Sequence, residues 1–394
     1  MTSLMNKRFW RLVLVAGTAV ILAGCGNKET KQALAKAATL EDQKQYQDAN
    51  NILVDALQAR EAKIRADAGN ITPADPNDPV ALKKAQVDAD ALTQKVASDP
   101  EILKLERAQI PLYLYMERAD KACAVYVDIL AGHPGDTVVD DTLHDKDPVI
   151  RSGAASILGL MGKPDKIDAL AGATKDPDQA VRRAAVVALG SITDSRTVGP
   201  LIDALKDSYW DVRSEAANAL VQEHDGSAVK PLLDTVADPD KTTESSAETA
   251  LLFLSKDKEA GVHADDFAAR LNDPNPKLVL ISAVCLAILK DSRSVPVLLK
   301  LLASSDQTTR LDAVKALGET GDPSVIPTLR QTLKDPDINM RGWSIIGLGN
   351  LKDQGSLADL RAIASDANEP STIKAAAQAA IDHIAPAPTP TSGP

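Results

Sequence analysis

A leucine returns along this chain at nearly constant spacing: Leu158, Leu189, Leu220, Leu251, Leu286, Leu317 and Leu348. The steps are 31, 31, 31, 35, 31 and 31 residues. Self-similarity at such a period constrains the fold more than any composition does, because each copy must build the same supersecondary unit. One residue before each leucine stands Ile157, Ala188, Ala219, Ala250, Cys285, Ala316 or Gly347. Four before it stands Ala154, Ala185, Ala216, Ala247, Ser282, Ala313 or Ser344. Eight before it stands Ile150, Val181, Val212, Thr243, Leu278, Thr309 or Met340. These columns share one face of a helix. Small residues there let neighbouring helices approach, while the leucines fill the space between layers.

A second helical run precedes each of these, as in "TVGPLIDALKD", "AVKPLLDTVAD", "SVPVLLKLLA" and "SVIPTLRQTLK". Pro200, Pro231, Pro296 and Pro327 fall near the start of these runs. Proline is tolerated in a first helical turn, where its missing N–H has no partner to lose. Each unit is therefore helix, turn, helix. Neither helix buries its apolar face alone, so the units must stack. An aromatic content of only 3% fits closely packed helices better than a β-sandwich.

The pattern "DP…VR…A…ALG", with the proline of the preceding helix, resembles HEAT repeats in the short form of phycobilisome-lyase-type proteins. About seven complete units cover roughly residues 145–365, and "STIKAAAQAAIDHI" reads as a closing helix. The resemblance implies an all-α fold: an α-solenoid of about seven to eight HEAT-like helix pairs over residues 137–384. It also implies that Asp145/Arg151, Asp176/Arg182, Asp207/Arg213 and Asp335/Arg341, each six apart, bridge turns and adjacent units as a ladder. The ladder breaks at Glu244 and Val279, beside the one step of 35. There "SKDKEAGVH" reads as a longer loop.

Residues 25–136 are helical outside this period. "QYQDANNILVDAL" places Tyr46, Ala49, Leu53 and Ala56 as in the second half of a tetratricopeptide repeat. "ACAVYVDILAGHP" places Ala122, Tyr126, Ile129 and Pro134 similarly. The resemblance implies a smaller tetratricopeptide-like helical domain ahead of the solenoid. Between the two motifs "GNITPADPNDP" is a loop by composition. The tail, residues 385–394, is proline-rich and reads as disordered.

The N-terminus carries a basic stretch, "NKRFWR", and then an apolar one, "LVLVAGTAVILAG". The apolar stretch is too short for a normal spanning helix. It ends in "LAGC", which resembles the lipobox of bacterial lipoproteins. That resemblance implies cleavage after residue 24 and acylation of Cys25, with several acyl chains giving a stable anchor. Gly26 is not the aspartate that retains some such proteins at the inner membrane, which implies the outer membrane, facing the periplasm. Loss of Lys7, Arg8 and Arg11 with residues 1–24 takes the formal charge from −11 to −14. So acidic a chain repels phosphate backbones, which argues against nucleic acid as a partner.

Candidate chemistry is sparse. The five histidines are His133, His144, His224, His263 and His383, and no two stand four apart. The HEAT-repeat deoxyhypusine hydroxylases hold iron with His-Glu pairs, and no His-Glu dipeptide occurs here. Nothing identifies a bilin site of the lyase kind. P-loop, GxSxG and HExxH motifs are missing as well. "DPNDP" and "DPD" lack calcium-loop spacing and read as turns and helix caps. No cofactor, metal or catalytic residue is expected.

Opposite the buried columns lies a strip that begins polar, with Ser152, Ser156, Arg183, Val187, Ser214, Asn218, Ser245 and Thr249. It continues through Leu280, Val284, Leu311, Lys315 and Ile346 as a largely apolar run. Such a run is either a docking surface for a protein or peptide or is partly buried between neighbouring helices. Trp210 and Trp343 are further candidates for partner contact. The expected function is a lipid-anchored, non-catalytic interaction scaffold of the bacterial envelope. The alternative is an enzyme or enzyme accessory of the HEAT-repeat lyase or hydroxylase type.

Overall fold

A computed structural model describes residues 27–68, 79–133 and 136–386. Residues 1–24, Cys25, Pro134, most of the expected loop after Gly69 and the tail from 387 lie outside them. Among the described residues there is no strand, and the architecture is an all-α solenoid of helix pairs. It divides into two compact units. One holds described residues up to 163 together with 176–188; the other holds 164–175 and everything from 189.

The first unit opens with α1 (Asn27–Asp42), α2 (Tyr46–Asp67), α3 (Pro79–Ala97), α4 (Pro100–Tyr115) and α5 (Ala119–Gly132). Ala49, Leu53, Leu57, Ile102, Leu105 and Leu112 form its core between α2 and α4. Ala122, Tyr126 and Ile129 are buried on α5. Two polar side chains inside pair with neighbours: Gln109 donates to Asn50, and Asn50 donates to the Tyr113 hydroxyl, each at 3.3 Å. The short α6 (Val138–Thr142) leads to α7 (Pro148–Met161), and α9 (Gln179–Gly190) adds its residues through Ala188. Tyr115 of α4 stacks on Tyr46 with ring centroids 4.7 Å apart and donates to Asp147, the cap of α7, at 3.0 Å. The sequence period starts near 137, but the first periodic helix packs onto the non-periodic ones, so the compact units divide later.

In the second unit, first helices alternate with second helices. The first are α8 (Ile167–Ala173), α10 (Val198–Ala204), α12 (Val229–Thr235), α14 (Ala264–Ala268), α16 (Ser294–Leu301), α18 (Ile326–Thr332) and α20 (Leu357–Ser365). The second are α11 (Trp210–Leu220), α13 (Lys241–Lys256), α15 (Pro276–Ile288), α17 (Gln307–Glu319) and α19 (Ile338–Asn350), with α21 (Ser371–Ile384) last. Pro200, Pro231, Pro296 and Pro327 each lie in a first turn. The five leucines from Leu220 to Leu348 are fully buried, as are Ala216, Ala247, Ser282, Ala313 and Ser344. Thr309 departs from its column: it is half-buried, with its backbone N–H and hydroxyl both donating to the Asp306 cap. Two second helices approach closely at Gly318 and Gly347, where a Cβ on the first would stand 2.6 Å from the Cα of the second.

The "DPD" segments are turns and caps. Asp240 accepts from the N–H groups of Thr242 and Thr243, and Asp337 from those of Asn339 and Met340, which are otherwise orphan donors of a first turn. The aspartate two residues earlier, Asp238 or Asp335, accepts from the cap's own N–H at 2.8 Å.

Candidate interaction surface

The arginine six residues after Asp145, Asp207 or Asp335 donates not to that aspartate's carboxylate but to its backbone carbonyl. Arg213 Nη1 donates to the backbone carbonyl of Asp207 at 2.8 Å, while Nε and Nη2 grip Asp238 of the next unit at 2.6 and 2.8 Å. Arg151 does the same with Asp145 and Asp176 inside the first unit. Arg341 donates likewise to the Asp335 carbonyl but reaches the Glu369 carboxylate through Nη2 alone. In each case one guanidinium closes its own turn and joins the next, and at Arg151 and Arg213 it does so with bidentate geometry that lysine cannot supply. These are structural joints.

At the expected break the joint is present with reversed polarity. Glu244 occupies the arginine position, and Lys277 of the next second helix reaches it at 2.5 Å, with Lys241 at 3.0 Å. Sequence spacing could not reveal this pair, because Lys277 stands outside the ladder columns. The longer loop beside it is tied down. Gly226 N–H donates to Ala260 O at 2.6 Å, and the His224 ring meets Asp257 at 2.5 Å.

The opposite face carries the expected strip, on three successive second helices. Leu280 and Val284 on α15 and Leu311 on α17 are half-buried, and Val284 and Leu311 pack against the core from the side. Ile346 on α19 is 41% exposed. Trp343 is half-buried against the same core, and the Lys315 ammonium lies over its ring at 4.8 Å. Both sequence alternatives hold in part: the run is neither sealed between helices nor wholly open. Trp210 is 49% exposed at the start of α11, away from α15, α17 and α19, and is not brought together with the others. Ser214, expected on the open strip, is instead buried, its hydroxyl 3.0 Å from that of Ser246 on α13. A small hydroxyl pair lets those two helices close over the position.

Two half-buried carboxylates on the neighbouring second helices escaped the sequence reading. Three residues before each repeated leucine stand Ala155, Val186, Ala217, Glu248, Ala283, Val314 and Ile345. The six apolar members of this column are buried. Glu248 stands among them half-buried on α13, and Asp312 is half-buried on α17. Burial pushes the Glu248 carboxyl up, with Glu244 and Asp312 adding to it. Burial does the same to Asp312. That departure from an apolar column is the signal that had been available.

Burial pushes the Cys285 thiol up to about 12, so it is a packed small side chain rather than a nucleophile. Among the described residues no group of three or more His, Cys, Asp or Glu is placed to hold a metal ion. Nor is any described helix long and apolar enough to cross a membrane.

The family model described as HEAT repeats matches residues 171–252, 264–331 and 295–381, together more than half of the chain. No curated protein sequence matches. Among solved structures, importin beta is similar with a TM-score of 0.52 and 13% identity, over 90% of this chain and 61% of that one. That likeness supports the solenoid fold. The complex of CpcE and CpcF of phycocyanin lyase from Nostoc sp. PCC7120 matches at 20% identity and TM-score 0.31, over 63% of this chain and 93% of that one. Human deoxyhypusine hydroxylase matches at 20% identity and TM-score 0.29, over 62% and 93%.

Proposed function

Because the chain belongs to the HEAT-repeat family, we propose that it is a non-catalytic scaffold that binds a protein or peptide on the face of its second helices. The observation that carries this reading is the run of Leu280, Val284, Leu311 and Ile346 on three adjacent helices, half-covered or open to solvent. Stacked helices present such residues along a continuous surface, which suits an extended partner. Trp343 adjoins the run and adds aromatic contact area. On this reading "LAGC" is the site of lipid attachment at Cys25, and the protein stands on the bacterial envelope, at the outer membrane and facing the periplasm. The helices around Tyr46 and Tyr126, tetratricopeptide-like in sequence, offer a second surface suited to a peptide.

Leu280→Glu combined with Ile346→Glu tests the surface. A charge set at a dry contact must lose its water without gaining a partner, which opposes association, whereas at an accessible site it costs the free protein little. The double variant is expected to keep the wild-type circular dichroism and to lose a partner captured from detergent-solubilised envelope. A folded variant that captures every partner at wild-type yield would defeat the reading. Bound metal or chromophore in the purified protein would favour the lyase or hydroxylase alternative. For the anchor, Cys25→Ser is expected to abolish palmitate labelling and membrane fractionation; labelled Cys25→Ser protein would remove that part of the proposal.

A further inference from the structure

On either side of the helix that opens the apolar run stand two half-buried carboxylates with no ion pair among the described residues. Glu248 belongs to α13 and Asp312 to α17, the second helices on either side of α15, which supplies Leu280 and Val284. Glu248 is close enough to influence the Cys285 thiol of α15 and to be influenced by Asp312. Both acids thus flank the helix that carries the leucine and valine.

The cations nearby are paired with other groups, although Lys277 and Lys241 still favour ionised Glu248 and Lys315 favours ionised Asp312. Lys277 and Lys241 close on Glu244. Lys315, three residues from Asp312, lies over the Trp343 ring. Asp306 adds a further negative charge near Asp312. Half-burial nonetheless strips water from Glu248 and Asp312, and Asp312 adds to the cost of ionising Glu248. A docked cation offsets both effects; a docked phosphate or carboxylate aggravates them.

Resting on the docking role proposed above, we infer that the partner is a basic amphipathic peptide segment. Its apolar side chains cover Leu280, Val284 and Leu311, and its Lys or Arg side chains come down beside Glu248 and Asp312. Removing either carboxylate's charge does not threaten the fold, since the ionised form is the one that burial disfavours.

The test uses the full chain and fluorescein-labelled synthetic amphipathic helices of equal length in Leu/Lys, Leu/Gln and Leu/Glu versions, read by anisotropy. The Leu/Lys peptide is expected to bind most tightly. Glu248→Gln with Asp312→Asn is expected to weaken it by about tenfold, as loss of two partly desolvated charge contacts implies. Asp203→Asn with Asp359→Asn removes the same net charge at exposed positions on first helices, and is expected to leave affinity unchanged. Equal weakening by the two double variants would reduce the effect to overall charge and overturn the inference. Leu/Gln binding as tight as Leu/Lys, lost in Leu280→Glu, would also overturn it while leaving docking on the apolar run intact. Binding of no peptide, with concentration-dependent dimers that Leu280→Glu abolishes, would assign the face to a second copy of the chain and overturn it too. Binding of no peptide by a monomeric protein would count against both readings.

Discussion

The joint between α11 and α13 and the joint between α13 and α15 do one job with opposite charges. In the first, Arg213 reaches forward to Asp238 while holding the Asp207 carbonyl of its own turn. In the second, Glu244 receives Lys277 from the following helix. The first arginine is a three-way connector whose polarity is fixed by the carbonyl; the second pair is a simple contact with no such duty. The reversal falls where the exposed face changes character. Exposed Ser245 and Thr249 on α13 give way to half-buried Leu280 and Val284 on α15. Stacking thus tolerates a change of charge and of outward chemistry, provided the buried columns continue.

That contrast is broken most severely in the core. Leu220→Ala on one side of the reversed joint and Leu317→Ala on the other should each cost about 2–5 kcal/mol. Denaturant midpoints check this, and unchanged midpoints would mean that the leucine column is not the core. Next, Gly318→Ala is expected to cost about 1–3 kcal/mol, because its Cβ meets the Gly347 backbone, which cannot swing aside. Gly172→Ala, with open space around it, should instead stabilise by up to about 1 kcal/mol. Equal effects of the two would contradict the close approach.

The joints themselves separate at smaller scale. Glu244→Lys should destabilise by roughly 1 kcal/mol, and adding Lys277→Glu should restore most of it. Arg213→Glu should not be rescued by Asp238→Arg, since no swapped pair refills the Asp207 carbonyl contact. A full double-mutant rescue at both joints would erase the distinction.

The smallest effect is in pH. Burial works against the Asp238 carboxylate, but the Arg213 hydrogen bonds prevail and hold it below its usual range. Its contribution is present above the unfolded value and is lost as pH falls through the lower folded one. Glu248 and Asp312 are displaced the other way, so stability should rise slightly as pH falls through their raised folded values, before the joints titrate. Melting temperature against pH should show this shallow rise in the wild type and a smaller one in Glu248→Gln with Asp312→Asn, where among the described carboxyls only Glu41 and Glu223 remain raised by burial.

The helix pairs were legible because a period is a statement about packing. Leu220, Ala216 and Ala247 are where the columns put them. The Asp–Arg spacing pointed to the ladder but not to its wiring, since the carboxylate partner belongs to the next unit and the same-unit contact is a carbonyl. Lys277 was not legible, because pairing across a step of 35 has no fixed offset. Ser214 was misread since helical periodicity places a residue on a face without telling how near the next helix comes. Glu248 was legible in principle, as one acid in an apolar column.

The stitched loop after α13 has a consequence for the array as a whole. Four extra residues in a chain that counts in units of 31 are a phase error, and phase errors in a one-dimensional stack propagate unless something absorbs them. Here the surplus is folded back on the preceding turn by the main-chain bond from Gly226 to Ala260, at a point where a side chain on Gly226 would collide with that very carbonyl. The dislocation is thereby confined to one loop, and Leu286 resumes the lattice as though the insertion had not occurred.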